Sequence, residues 1–304
     1  MEQHLRTDHP VIEGSVRLGK RLAPYGLVAP GTLWLGVFFI VPMVTMLILS
    51  LETRAPAQGF QNAGYQFTWH FSIYQEALSQ YHTQFVRSLW YGTVVTVATL
   101  LVGYPAAYWI AFHGGRRKTT YLFLFLLPFF VSFVIRSLAW QFLLSDEGLV
   151  LRTLGRWHLL PHGYRILSTA TAVIAGIAYN GLPFMVLPLY VSLEKIDRDA
   201  VEAARDLYAG PLDVFTKVIL PLSVPGIFAG FLLTFVPSVG DYINASILGG
   251  TGTTMIGNVI QFEFLTAQDY PLASALSFIL MLGLLAGILV YAKILGTRQI
   301  EEYV

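Results

Sequence analysis

The chain has 304 residues, of which 55% are hydrophobic and only 12% are charged. A soluble domain carries about 25% charged residues because its surface faces water, so this composition argues against a soluble enzyme and indicates a chain surrounded mostly by lipid. The net charge of +1 gives no field for a nucleic-acid partner, and the absence of cysteine excludes disulfides, thiol nucleophiles and cysteine metal sites.

Six stretches of the chain are long and apolar enough to cross a bilayer, since a helical span needs roughly 20 apolar residues. Helices are expected because backbone groups in lipid must bond within their own segment. The predicted spans cover about residues 27–51, 88–112, 119–144, 166–193, 218–240 and 271–292. The sequence therefore predicts an all-α membrane protein with six transmembrane helices.

The first apolar stretch follows a polar segment, residues 1–26, that contains four Lys and Arg residues. A cleavable signal peptide has an apolar region of only about 7–15 residues, so we interpret the longer stretch as a retained first span. Counted over alternate loops, thirteen Lys and Arg residues fall on one side and five on the other. Because basic loops stay in the cytoplasm, both termini are predicted to be cytoplasmic.

The third and fourth predicted spans carry unusual residues for a lipid environment. Arg136 is the only charge well inside a span, and on an unbroken helix it lies about 26 Å from Thr119, toward the outer side. Its guanidinium either reaches the outer interface or acts as a gate or pairing residue. In the fourth span, Asn180 and Pro183 indicate either a packing kink or a flexible, solute-lining gate element, because proline frees a backbone carbonyl.

The inner loop between spans four and five, about residues 194–217, is charged but favours helix. Asp199 followed by Glu202 fits an N-cap with an acid at the third helical position. Gly210 can supply a turn, and Pro211 suits the first position of a second helix. The loop is therefore predicted to form two short helices, which either rest on lipid headgroups or dock onto a cytoplasmic partner.

A family resemblance appears in this loop. The segment Glu202-Ala203-Ala204, with Leu220-Pro221 downstream, resembles the EAA loop of permease subunits in binding-protein-dependent ATP-binding-cassette importers, the MetI-like superfamily. Tyr208 stands where that family usually has glycine, and Gly210 can take over the turn. Other segments are similar to the polyamine (spermidine/putrescine) permeases, namely 103–105, 182–190, 192–195, 202–207 and 256–260.

The resemblance implies a permease subunit of an ATP-driven polyamine importer in the bacterial inner membrane, with no catalytic site, cofactor or metal of its own. The implied partners are an ATP-binding subunit that forms a homodimer, a second homologous permease, an extracytoplasmic solute-binding protein and the bilayer. The expected domains are a cytoplasmic segment 1–26, a six-helix permease domain 27–295 with a coupling loop at about 194–222, and a cytoplasmic tail 296–304. The residues implied to couple to the ATPase are Glu202, Ala203, Ala204, Asp206, Gly210, Leu220 and Pro221.

A polyamine path should offer carboxylates for ammonium groups and aromatic faces for cation–π contacts. The candidates for such a path are Trp140, Tyr179, Asp241 and Tyr242. The predicted outer segments hold seven acids against five bases, a surplus too small to identify a cationic solute. A permease for another solute (an opine, an aminophosphonate or iron) stays open as an alternative. So does an ion-coupled carrier, for which only Asp241 comes near to an intramembrane acid.

Overall fold

The structure of the protein is a computed structural model made of helices and one short hairpin. It describes residues 28–54, 64–157, 164–206 and 210–301. The chain divides into two compact units, residues 1–70 and residues 71–304. Among the described residues, five helices are long and apolar enough to cross a membrane, and a bent pair of helices provides a sixth if it forms one span. Helices therefore form at all six predicted stretches, and only the third is interrupted.

The first unit contains one apolar helix and a hairpin within its described residues. Helix α1 spans Val28–Ser50 and includes one wide π-helical turn at Gly36–Ile40. Strand β1, Glu52–Arg54, pairs antiparallel with β2, Tyr65–Phe67. The apolar side chains of α1 are largely exposed, which suits a helix that contacts lipid.

Helix α2, Ser72–His113, is the longest helix and begins well before the predicted start of the second span at about residue 88. Hydropathy marks only the part of a helix that lies in lipid, so the polar residues before that point extend the helix rather than form a loop. The backbone leaves helical geometry at Tyr81 (φ −114°, ψ 15°). There the Tyr81 hydroxyl donates a 2.9 Å hydrogen bond to Glu263 Oε1.

The third predicted stretch is not one continuous helix, so the expectation of an unbroken helix there is wrong, while its crossing of the membrane as one span stays a prediction. Helix α3, Lys118–Leu126, passes into a 3₁₀ turn at Leu127–Phe130, and α4, Phe133–Leu144, begins after a bend of 84°. Pro128 has no N–H to bond the preceding turn, so the helix tightens and the chain becomes extended at Val131 (φ −76°, ψ 144°). The distance of about 26 Å between Thr119 and Arg136 assumed an unbroken helix and does not hold.

The next two helices differ in character. Helix α5, Leu149–Arg156, is short and amphipathic. Helix α6, Ala170–Glu194, is capped at its N-terminus by Thr169, whose Oγ1 accepts a 3.4 Å hydrogen bond from the backbone N of Ala172. Pro183 and Pro188 both lie inside α6, and the helix continues through them.

The loop after α6 contains α7, Arg198–Asp206, and the start of α8, Pro211–Val239. Asp197 Oδ1 accepts a 3.0 Å hydrogen bond from the backbone N of Asp199. Asp197 therefore caps the helix and the predicted N-cap at Asp199 is wrong, because the helix begins two residues earlier than predicted and places Asp199 in its first turn.

The predicted first helical position at Pro211 is confirmed, but the second short helix is not separate from span five. Helix α8 runs from Pro211 to Val239 through a π-helical turn at Phe215–Ile219. Pro221 has no N–H for the carbonyl of Lys217 and its ring needs room there, so a wider turn keeps the helix continuous. Pro221 therefore does not interrupt α8.

The last part of the described chain contains α9, Ile243–Leu248, a 3₁₀ turn at Thr251–Thr253, α10, Ile256–Leu265, and α11, Tyr270–Glu301. The glycine-rich segment from residue 249 to residue 257 thus contains a short turn and the start of α10.

Helices α2, α6 and α8 pack together at the centre of the second unit. Small residues allow their close approach. A Cβ atom at Gly226 would collide with the Ser192 Cβ, and one at Gly230 would lie 2.7 Å from the Met185 Sδ. Two glycines four residues apart therefore hold α8 against α6, as such spacing does in membrane helices.

Candidate functional site

Helix α7 is held by one buried side chain and leaves another face exposed. Val201 is 5% exposed and packs in an apolar cluster with Leu193 of α6. Ala204 is partly buried against the same cluster, whereas Glu202 and Ala203 are exposed. The Glu202–Ala203 face is therefore available for contact with a partner, as the family resemblance implies.

A cleft of about 200 Å³ lies beside this face. Arg198 also joins α7 to α2, because its Nη2 donates a 3.4 Å hydrogen bond to the carbonyl of Ala111. The residues that line the cleft come from α2, α7 and α8 and are Tyr108, Phe112, His113, Arg198, Val201, Glu202, Arg205 and Ile219. Charged and aromatic groups thus meet at one surface, which can bind a partner by both charge and apolar packing.

The other predicted coupling residues divide between exposed and packed positions. Asp206 is exposed at the end of α7, and Pro221 is exposed near the π turn of α8. Leu220 is partly buried against the cluster that holds Val201. Gly210 precedes α8 in an extended conformation (φ −64°, ψ 161°), which does not require glycine. Tyr208, where the sequence departs from the family pattern, lies outside the described residues.

A second candidate site begins with a buried polar network that joins α4, α6 and α9. Asp241 Oδ1 and Oδ2 accept hydrogen bonds of 2.8 and 2.7 Å from the backbone N and the Nδ2 of Asn244. Asn244 Oδ1 accepts bonds of 2.8 Å from Ser137 Oγ and 3.3 Å from Asn180 Nδ2. Within the described part of the chain, Asn180 Oδ1 is buried and has no hydrogen-bond partner.

A cavity of about 220 Å³ lies next to this network. Asn180, Asp241 and Tyr242 line it, together with Thr234, whose buried Oγ1 also lacks a partner among the described residues. Its other walls are mainly apolar and include Phe133, Ile177, Phe184 and Leu233. The cavity therefore combines a carboxylate and two unpaired oxygen acceptors with hydrocarbon surface.

Asp241 lies just beyond the end of α8, where neighbouring groups remove much of its contact with water. Burial raises the pKa of this carboxyl above its usual value, while the hydrogen bonds from Asn244 act in the opposite direction. No ion pair to Asp241 occurs within the described ranges of the chain.

The remaining predicted path residues lie in a separate aromatic group around Arg136. The ring of Tyr179 lies 5.5 Å from that of Trp140 and 5.3 Å from that of Phe129. The Arg136 guanidinium lies 4.9 Å from the centre of the Phe129 ring, while its Nε and Nη1 are buried without a hydrogen-bond partner in the part of the chain described. Trp140 and Tyr179 thus share their surroundings with a cation, which disfavours a second one.

The structure brings together only part of the predicted path. Asp241 and Tyr242 line one cavity with Asn180, whereas Pro183 is not among its lining residues. The sequence interpretation missed Asn244 and Thr234. The spacing of Asp241 and Asn244, three residues apart after a helix end, is a capping pattern that could have identified Asn244. Thr234 gave no signal, because single hydroxyl residues are frequent in membrane helices.

Comparison with known families and proteins gives a consistent result. The family described as "Binding-protein-dependent transport system inner membrane component" matches residues 100–295. The spermidine/putrescine transport system permease protein PotB of Haemophilus influenzae is 37% identical over 271 residues, covering 88% of this chain and 93% of that protein. PotB of Escherichia coli is 35% identical and covers 88% of this chain and 97% of its own length.

A third relative carries a different name. The sn-glycerol-3-phosphate transport system permease protein UgpA of Shigella flexneri is 30% identical over 275 residues, covering 86% of this chain and 90% of that protein. This name refers to another solute, so similarity to this group of proteins does not by itself identify the solute that is carried.

Solved structures with the same fold include a bacterial ABC transporter involved in the import of the acidic polysaccharide alginate. One of its chains has a TM-score of 0.67 at 19% identity, with 94% of this chain and 99% of that chain covered. The alginate transporter in complex with an alginate pentasaccharide-bound periplasmic protein gives a TM-score of 0.65 at 21% identity, with 93% and 98% covered. At these identities, the likeness concerns the fold.

Proposed function

Because the chain belongs to the family of binding-protein-dependent transport system inner membrane components, we propose that it is the permease subunit of an ATP-driven polyamine importer. The PotB relatives support spermidine and putrescine as solutes, at 35–37% identity over 88% of this chain. The subunit forms the path across the membrane, and the hydrolysis of ATP takes place on a partner.

The exposed Glu202–Ala203 face of α7 is the observation that carries this proposal. A short helix anchored by Val201 and presenting charge beside an aromatic cleft suits docking to an ATP-binding subunit. Helix α8 continues from Pro211 into the apolar stretch, with only the π turn on the way. Movement of the partner against α7 is therefore passed to a membrane helix over a short distance.

The proposal includes a defined arrangement in the inner membrane. The bent pair α3–α4 is one broken span, which makes six, and both termini lie in the cytoplasm. A second homologous permease completes the path, because six helices alone rarely enclose a solute. A solute-binding protein delivers the polyamine from outside, and the ATP-binding subunit is a homodimer.

The test is uptake of radiolabelled spermidine by the complete importer in proteoliposomes. We expect ATP-dependent uptake by the parent and a loss of at least about tenfold in Glu202→Lys, because a lysine reverses the charge at the docking face. Assembly in the membrane should be unchanged, since Glu202 is exposed. Glu147→Lys is the matched control, as the Glu147 side chain is 91% exposed on the connection after α4. It should transport normally.

Two results would contradict the proposal in different ways. Normal uptake by Glu202→Lys would show that α7 does not dock through this residue. ATP-dependent uptake of glycerol 3-phosphate in place of any polyamine would reject the solute and keep the permease role, as the similarity to UgpA allows.

A further inference from the structure

We propose that the cavity bordered by Asn180, Thr234 and Asp241 binds one primary alkylammonium group. This inference rests on the proposed function for its natural solute, a polyamine. It assigns a place on this chain where one charged end of the solute is held, and it names the three side chains that hold it.

The three oxygen groups at the cavity match the donors of a primary ammonium. Asp241 supplies a carboxylate that no cation neutralises within the described ranges. Asn180 is 5% exposed and Thr234 is 1% exposed, and each contributes a buried acceptor without a partner in the described chain. Buried polar atoms are almost always bonded. The Asn180 Oδ1 can only accept a hydrogen bond and the Thr234 hydroxyl can donate or accept one, so a donor bound at the cavity would satisfy both atoms. An alkylammonium group has three N–H donors and no acceptor.

The orientation of the Asn180 amide follows from Asp241. An ionised carboxylate only accepts hydrogen bonds, so it turns the Nδ2 of Asn244 toward itself. Asn244 Oδ1 then faces Asn180 and takes its Nδ2 as a donor. Asn180 Oδ1 is consequently left as an acceptor. The network therefore determines that Asn180 offers a hydrogen-bond acceptor, and not a donor, to a group bound in the cavity.

The rest of the lining favours an alkylammonium group over an alkali ion. Phe184 and Leu233 offer apolar surface that can cover methylene groups next to the ammonium. A metal ion would need several further oxygen ligands, and the apolar side chains that form most of the lining cannot supply them. Arg136, which would repel a cation, does not line the cavity; its guanidinium lies 5.9 Å from the centre of the Phe133 ring, which does line it.

The absence of cysteine from the chain allows a direct binding test. Tyr242→Cys places one thiol at the cavity, where Tyr242 is 41% exposed. Its rate of modification by a neutral methanethiosulfonate is followed on this chain by mass spectrometry, using the complete importer in nanodiscs. We expect n-propylammonium to slow modification at least fivefold, and n-propanol or sodium at equal concentration to leave it unchanged. Leu233→Cys serves as a second reporter.

Three variants of the reporter chain separate the contributions of the Asp241 carboxylate and the Thr234 hydroxyl from that of an acid outside the cavity. Asp241→Asn keeps the size of the side chain but should require at least tenfold more n-propylammonium for equal protection. Thr234→Val removes one acceptor, leaves the Asp241–Asn244 bonds in place and should require two- to fivefold more. Glu147→Gln removes an exposed acid far along the chain and should keep full protection.

The inference is overturned if n-propylammonium gives no protection, if Asp241→Asn keeps it, or if sodium protects equally well, which would indicate an alkali-ion site. Spermidine uptake by the same assemblies tests the proposed function separately. If the importer takes up spermidine but n-propylammonium still protects the thiol in Asp241→Asn, only the assignment of the cavity is contradicted. If the importer binds n-propylammonium but takes up no polyamine, only the proposed solute is contradicted.

Discussion

Asn244 links the groups around the cavity by bonding in two directions. It donates to Asp241 and accepts from Ser137 and Asn180, and it is fully buried. A residue with both donors and an acceptor is needed at this point, because its neighbours include a carboxylate on one side and donors on the other. Its loss would leave several buried polar groups unpaired at once.

We predict that Asn244→Leu lowers the free energy of unfolding by about 2–4 kcal/mol, because each unpaired buried polar group costs about 1–3 kcal/mol and the losses are not fully additive. The measurement is unfolding of the purified chain in mixed micelles. Tyr242→Phe changes an exposed neighbour and should alter stability by less than about 0.5 kcal/mol. Equal stability of Asn244→Leu and the parent would show that the network does not support the fold.

Residue types in the sequence suggested candidate path residues but did not predict which of them lie together. Asp241, Tyr242, Trp140 and Tyr179 all suit a cationic solute, yet only the first two line the cavity. Tyr179 and Asn180 are adjacent in α6 and serve different groups, since neighbouring residues in a helix point about 100° apart. The sequence alone does not show which neighbouring group each side chain faces, because that depends on how the helix packs.

Proline has opposite outcomes in α3–α4 and in α6. The chain bends by 84° shortly after Pro128, whereas α6 continues through Pro183 and Pro188. Helix α6 packs against both α2 and α8, and those contacts hold its axis where the hydrogen bonds are missing. The apolar pattern therefore predicts where helices form. It does not predict which proline interrupts one, because that depends on tertiary packing.

The bend between α3 and α4 determines which side of the membrane each later loop faces. If the pair is one broken span, its two ends face opposite sides. If it is a re-entrant hairpin, both ends face the same side and α7 moves to the outside when the N-terminus is inside. The count of basic residues favours the first arrangement, with Arg116 and Arg117 inside.

Single cysteines at residues 115 and 147 test this point in the cysteine-free chain. We predict that a membrane-impermeant maleimide labels Glu147→Cys in intact spheroplasts and labels Gly115→Cys only in inverted vesicles. Gly115 and Glu147 flank the bent pair, so opposite labelling means one span. Labelling of both from the same side would establish a re-entrant hairpin and leave five spans.

Two regions of the second unit have the two proposed tasks. We propose that the α7 face, with exposed Glu202 and Ala203, binds the ATP-binding subunit, and that the cavity at Asp241 binds the solute. Helix α8 joins them, since it begins just after α7 and its far end, Ser238, lines the cavity. The family could be recognised from sequence. The connection through α8 required the structure, because the second short helix, which the sequence interpretation kept separate from span five, is continuous with it.

The most direct test of the central claim is a photo-crosslink from α7 in the complete importer. A benzophenone-bearing residue replaces Ala203. Because Ala203 is exposed, the larger side chain does not disturb the packing of Val201. We predict one main adduct, with the ATP-binding subunit, whose yield changes when ATP is bound. An adduct with the extracytoplasmic solute-binding protein, or none with the ATP-binding subunit, would contradict it.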